Sequence, residues 1–259
     1  MEVPTSVWVP RPQGHYAQGM RRAARITGSV LIAAGALGLV WVLVVWLWQD
    51  PFTAAYTAWQ QHRLNGQFEQ LVEQHHNPRL VLNGDRQARI AEETREIAAE
   101  AAAFQRTARP GQAIGRIIIP RIGLNMIVVD GTDEGSLKRG PGLDRQTSMP
   151  GRNRLVYIAG HRTTYLAPFS HIDEIAPGDV IRLETPYATF VYRAFDHQIV
   201  PATDLSVLVS HGRELLRLQA CHPRFFATHR YIVDAHLVSV KPPGAPGWQV
   251  ASAGARQGA

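Results

Sequence analysis

The run from Ile26 to Trp48 carries no charged side chain and is rich in Leu, Val, Ala and Trp. It is the feature that most limits where this chain can fold. A hydrocarbon core of about 30 Å needs roughly 20 apolar residues in a helix, so the run is long enough to span. Trp41, Trp46 and Trp48 lie toward one end, where indoles favour the interface. Arg21, Arg22 and Arg25 precede the run, whereas Asp50 follows it and the next basic residue is Arg63. The positive-inside bias therefore predicts a short cytoplasmic N-terminus over residues 1–25, which with Pro4, Pro10 and Pro12 reads as disordered, a transmembrane helix over 26–48, and an extracytoplasmic remainder. A cleaved signal peptide is the rival reading. The run exceeds the roughly 7–15 residues of a signal core, and no small-x-small site closes it.

Cys221 is the only cysteine. Extracytoplasmic cysteines usually pair, so one without a partner in its own chain needs another explanation. The stretch from Leu215 to Cys221 reads as a buried strand ending at the thiol, and Pro223 stops the strand from continuing. Such strand ends, facing loops, are common places for catalytic groups.

With the span set aside, the 259 residues leave about one and a half domains at ~150 residues each, so one core is expected. The net charge of +6 is scattered and lacks the basic helix or interleaved aromatics of a nucleic-acid site, leaving attraction to an anionic envelope. Residues 49–110 are rich in Gln, Glu, Arg and Ala and predict a helical stalk. One helix covers about Thr53 to Gln74 and another about Asp85 to Arg106, separated by an Asn83-Gly84 turn. Ile90, Thr94, Ile97, Ala101 and Phe104 share one face of the second helix, which would lie on the following domain or self-associate. The run from Pro242 to Ala259 is rich in Pro, Gly and Ala and reads as a disordered tail.

Residues 111–241 switch to short strands divided by Gly, Pro, Asp and Asn. Strands are expected at Ile114 to Pro120, Asn125 to Val129, Leu155 to Ala159, Val180 to Glu184, Thr189 to Phe195, Glu214 to Cys221 and Arg230 to Val240. One short helix fits about Pro168 to Ile175. The fold class is mainly β: a mostly antiparallel barrel or sandwich with few helices.

A thiol of this kind becomes reactive beside a base and an anion-stabilising cation. His161, just after the strand Leu155 to Ala159, and Arg230, opening the final strand, are the candidates. His222 and His229 are rivals by proximity, but sequence neighbours on a strand face opposite ways, so His222 is poorly placed to meet Cys221.

The run Ile158-Ala159-Gly160-His161-Arg162-Thr163-Thr164-Tyr165, the Pro177-Gly178-Asp179 turn, the run Leu218-Gln219-Ala220-Cys221-His222-Pro223, and Arg230-Tyr231-Ile232-Val233 together resemble a sortase, most closely the class E enzymes of actinobacteria. The resemblance covers Ile114 to Val240 and keeps the family's order of histidine, cysteine and arginine. It implies a closed β-barrel of about eight strands. One departure stands out: the family's Thr-Leu-x-Thr-Cys pattern is Arg217-Leu218-Gln219-Ala220-Cys221 here, without either threonine.

The resemblance implies a cysteine transpeptidase of the cell membrane. Cys221 would attack the Thr–Gly carbonyl of a C-terminal sorting signal, of Leu-Ala-x-Thr-Gly or Leu-Pro-x-Thr-Gly type, on a secreted protein. The thioester would pass to an amine of a peptidoglycan precursor or a pilin. His161 would serve as acid and base and Arg230 as oxyanion donor, with Arg162, Tyr165, Ala220 and His222 near the substrate. A solvated arginine and a packed tyrosine are the plainer readings of Arg162 and Tyr165. The scheme needs no metal or cofactor, and no cluster has metal-ligand spacing. Two other classes stay open: a hydrolase or protease that resolves the thioester with water, and a non-catalytic envelope module with an inert buried thiol.

Overall fold

The computed structural model describes residues 15–48, 51–75 and 85–250. The chain divides into two compact units, Met1–Trp48 and Gln49–Ala259. The described part of the first is one helix, α1 (His15–Trp48), which contains an apolar stretch from Met20 to Val44 long enough to cross a membrane. Helix begins at His15, so residues 15–25 are helical rather than irregular: His15 to Arg25 holds no proline, and the run continues unbroken into the apolar segment.

The second unit is a closed barrel with two helices against it. Strands β1 (Ala113–Ile119), β2 (Leu124–Asp130), β3 (Gly142–Leu143), β4 (Leu155–Ala159), β5 (Val180–Glu184), β6 (Thr189–Pro201), β7 (Leu215–His222), β8 (His229–Lys241) and β9 (Trp248–Gln249) lie in the order β6-β5-β1-β2-β3-β4-β7-β8-β9. A long antiparallel pairing of β6 with β8, from Thr189 opposite Lys241 to Pro201 opposite His229, closes the first eight into a barrel. Most neighbours are antiparallel, but β2–β3 and β4–β7 are parallel.

Alternation builds the interior. On β7, Leu216, Leu218 and Ala220 join Val156, Ile158, Phe190, Tyr192 and Val233 in the main core, while Leu215, Arg217, Gln219 and Cys221 face outward. On that outer face Leu155, Tyr157, Ala159, Val200, Val207, Leu215 and Ile232 form a second, smaller apolar cluster.

The expected stalk is part of this unit. Helix α2 (Pro51–Gln74) buries Leu64 and Phe68 against Ala113, Ile127 and Val129. Its Gln61 accepts from the Ile127 N–H at 2.7 Å and donates to the carbonyls of Ile127 and Arg139 at 3.0 and 2.8 Å. Helix α3 (Arg86–Thr107) puts Ile97, Ala101 and Phe104 into the main core, with Ile90 packed at its edge. That is the face shared by Ile90, Thr94, Ile97, Ala101 and Phe104 in the sequence. The Asn83-Gly84 turn lies outside the described residues. The chain after Pro242 is ordered as far as Val250, because Trp248 is buried and β9 pairs with β8; residues 251–259 lie outside the described residues. In place of a helix over Pro168 to Ile175 there is one 3₁₀ turn, Ile172–Glu174. A four-residue helix, α4 (Glu134–Leu137), follows β2, its N-terminus capped by the Asp133 side chain accepting from the Ser136 N–H.

Candidate active site at the ends of β4, β7 and β8

Cys221 lies next to the end of β7, directly across the antiparallel ladder from Arg230 at the start of β8. The thiol is free and half-buried. On the other side of β7, the parallel ladder with β4 runs to Ala159 opposite Gln219 and is extended by the Gly160 N–H donating to the Gln219 carbonyl at 3.0 Å. His161 therefore leaves the sheet beside the last residues of β7. Three strand ends bring together residues that lie far apart in the chain.

Gly160 fits this turn because it lacks a side chain: a Cβ there would lie 2.6 Å from Cδ2 of Phe169, which is fully buried. The loop that follows holds Tyr165, Leu166 and Ala167 at φ of 53°, 59° and 39°, three successive left-handed residues that are not glycine. Conformations of this kind persist only where the surroundings impose them. Here the Tyr165 N–H donates to the Thr53 hydroxyl of α2 at 3.2 Å, the Ala167 N–H to Thr164, and the Phe169 N–H back to the His161 carbonyl at 3.1 Å.

The Tyr165 ring packs on His161 with centroids 5.1 Å apart. Nε2 of His161 is shut off from solvent and has no hydrogen-bond partner among the described residues. Burial lowers the pKa of this imidazole, the nearby Lys138 ammonium lowers it further, and Glu134 partly opposes them. Lys138 is held by Glu134 at 2.6 Å, and its Nζ lies 6.0 Å from the centre of the Tyr165 ring.

Arg230 spends Nη1 on the carbonyls of Ala227 and His229, at 2.8 and 3.0 Å. No hydrogen bond from Nε or Nη2 is made among the described residues, so two further donors of a residue paired with Cys221 in the ladder stay available.

The four expected substrate contacts behave differently. Ala220 is fully buried in the core and its methyl points away from the thiol face, a correction that follows from strand alternation. Arg162 is not a solvated surface arginine: it is 5% exposed, and its fork joins Asp173 at 2.8 Å, Nδ1 of His222 at 2.9 Å and the Cys221 carbonyl at 3.4 Å. Arginine has only donors, so Nδ1 of His222 accepts and His222 carries its ring proton on Nε2. Both side chains brace the end of β7 from behind. Tyr165 stays at the site, against His161. Asp173, Lys138, Glu134 and Thr53 also belong to this neighbourhood, and nothing in the local sequence pattern marks them. The Asp133 cap ahead of Glu134 was a readable sign of α4. Among the described residues no group of three or more His, Cys, Asp or Glu is placed to hold a metal ion.

The sortase domain model matches residues 117–238. Sortase D of Bacillus subtilis is 33% identical over 133 residues, 50% of this chain and 66% of that protein. Sortase SrtE1 of Streptomyces coelicolor is 28% identical over 151 residues, 51% of this chain and 42% of that protein. The chain thus spans two thirds or less of these relatives. Among solved structures, the SrtA sortase of Actinomyces oris superposes with a TM-score of 0.50 at 26% identity, covering 54% of this chain and 88% of that one. The domain match begins inside β1 and ends inside β8, so what is shared is the barrel together with the strand ends that gather His161, Cys221 and Arg230: the chain belongs to the sortase family.

Proposed function

We propose that this protein is a membrane-anchored cysteine transpeptidase that cuts a C-terminal sorting signal between Thr and Gly and passes the acyl group to an amine. The observation that carries the reading is the convergence of Cys221, Arg230 and His161 at neighbouring strand ends on an outward face. A half-buried thiol opposite a guanidinium is a poor fit to an inert core cysteine.

In this reading burial and Lys138 keep His161 neutral at rest. The Cys221 thiol gives its proton to the imidazole as Sγ attacks the threonine carbonyl. The oxyanion is met by Nε and Nη2 of Arg230. When the C–N bond breaks, His161 returns that proton to the departing glycine amine, leaving a thioester. An incoming amine then attacks the thioester carbon, loses its proton to His161, and releases the Cys221 thiolate, which recovers the proton.

The preferred signal is Leu-Ala-x-Thr-Gly, in line with the class E resemblance. Its alanine keeps an amide N–H that proline lacks. A groove acceptor left unpaired costs about 1–3 kcal/mol, so proline at that position should lower kcat/KM by roughly tenfold to a hundredfold. The acceptor is a peptidoglycan-precursor or pilin amine, and α1 holds the domain outside the cell membrane.

The test is a competition between matched alanine and proline peptides, with a glycine or diaminopimelate-type amine as acceptor and mass spectrometry of the products. Ligation that depends on the amine is expected. Equal rates for the two peptides would remove the class E specificity, and hydrolysis with no ligated product would make the protein a thioester hydrolase. Protease added to intact protoplasts should remove the domain; its protection would reverse the topology.

A further inference from the structure

Arg217 occupies a position where the family pattern has a threonine, and the structure gives it a definite task. It lies on the thiol-bearing face of β7, four residues before Cys221, about 13 Å along the strand. Tyr157 of β4 is its register partner on one side and Asp234 of β8 on the other. Arg217 and Asp234 are each 7% exposed. Nε of Arg217 reaches Oδ1 of Asp234 at 2.6 Å and Nη2 reaches Oδ2 at 2.9 Å, a two-pronged pair. The third prong crosses to another segment: Nη1 donates to the Val207 carbonyl at 2.5 Å.

Val207 belongs to a 3₁₀ turn, Ser206–Leu208, in the long connection from β6 to β7. Its side chain is buried on the outer face among Leu155, Tyr157, Ala159, Val200, Leu215 and Ile232. Either side of this tie, Leu205 and Val209 hold apolar side chains out to solvent, 71% and 51% exposed. The turn is therefore fastened at one residue to the same sheet face that carries the thiol, and it presents unpartnered apolar groups beside that fastening. A lysine could not replace the arginine, because an ammonium is a single point and this site asks for three directed donors in one plane.

We propose that the Arg217–Asp234 pair is a latch that fixes residues 205–209 over the β4–β7–β8 face and thereby sets how the substrate peptide is held on its way to Cys221. The inference rests on the transpeptidase reading. Arg217 is a positioning residue: it reaches the substrate only through the turn it holds. Its loss should weaken peptide binding and leave the chemistry at the thiol intact.

The experiment uses the full chain in detergent micelles, with Arg217→Met and the double variant Arg217→Met/Asp234→Leu. The double variant leaves no buried charge unpaired, and such replacements commonly keep the fold. Three quantities are read: KM and kcat for the sorting peptide, the rate at which iodoacetamide alkylates Cys221, and amide hydrogen exchange at Ser206 to Val209. The latch predicts that KM rises at least tenfold in both variants, that kcat and the alkylation rate stay within threefold of the parent, and that exchange at Ser206 to Val209 accelerates at least tenfold. Parental KM and parental exchange in the folded double variant would overturn it. So would a fall in kcat and alkylation with KM unchanged, since the pair would then be supporting the thiol end of β7. A parent protein inactive on every sorting peptide would defeat the transpeptidase reading, and the exchange measurement would still decide whether the latch exists.

Discussion

Cys221 and Arg230 are direct partners across the β7–β8 ladder, so the sheet itself sets the spacing of the two backbone positions that carry thiol and guanidinium. Strand register is rigid where one face is buried, and here Leu218, Ala220 and Tyr231 lock it from the core side.

This rigidity makes the two residues separable by mutation without loss of fold. Cys221→Ala and His161→Ala should each abolish ligation, and the double variant should be no worse than either, as expected for groups that act as one unit. Arg230→Lys, which keeps charge but loses the fork, should cost roughly a hundredfold in kcat/KM. Peptide ligation followed by mass spectrometry measures all four; product formed by Cys221→Ala would sink the mechanism.

Lys138 depresses the pKa of His161, so Lys138→Met should raise it, and Glu134→Gln should lower it. The sign follows from charge: removing a nearby cation favours imidazolium, and removing a nearby anion disfavours it. Ring NMR titration of His161 reads the shift directly, and the acid limb of the ligation rate should move with it. An unmoved His161 midpoint in Lys138→Met would show that burial alone sets the value.

Gly160→Ala places a methyl 2.6 Å from the Phe169 ring, and Phe169, fully buried, has nowhere to turn. The loop carrying His161 must shift instead. Overpacking of this kind costs about 1–3 kcal/mol, and a displacement near 1 Å at a reacting group can cost a hundredfold in rate. Thermal unfolding and ligation kinetics should therefore both decline. Unchanged kcat/KM would mean that the turn does not hold the histidine.

Glu214 sits at the far end of β7, where it accepts from the Gly151 N–H at 2.8 Å and the Tyr192 hydroxyl at 2.9 Å. Burial raises its pKa from the usual glutamate value, more than these hydrogen bonds lower it. A carboxyl whose folded pKa is raised contributes stability that is fully present below the unfolded pKa and is lost as pH rises through the folded one. Glu214→Gln, which can keep both acceptor bonds and never charges, should gain in melting temperature relative to the parent between pH 5 and pH 8. A constant difference across that range would show that Glu214 titrates normally.

The sequence shows β4 and β5 at their observed limits and most other long strands to within a residue or two, because their apolar alternation is strong. It shortens β6, whose stretch Asp196 to Gln198 is exposed and polar, breaks the apolar alternation, and pairs with β8 through the backbone. It misses β3 and β9, two residues each, too short to carry a period. The order of His161, Cys221 and Arg230 was legible because strand ends and proline breaks mark the places where side chains leave a sheet. The bracing around them was not. Arg162 meets Asp173, and Arg217 meets Asp234 and Val207, through contacts between segments that no local pattern records. Ala220 was misjudged for a related reason, since adjacency to Cys221 in sequence means the opposite side of a strand.

Gln61 gives α2 a role in the barrel that its helical composition hides. By bonding both the N–H and the carbonyl of Ile127, its side-chain amide imitates a neighbouring strand for one residue of β2. A barrel excised near Pro110, where the composition changes, would lose that imitation and also uncover Ala113, Ile127 and Val129. What remained would be an open sheet margin beside an apolar face, the arrangement by which isolated β-domains stick to one another. Helix α2 thus shields the barrel from its own copies.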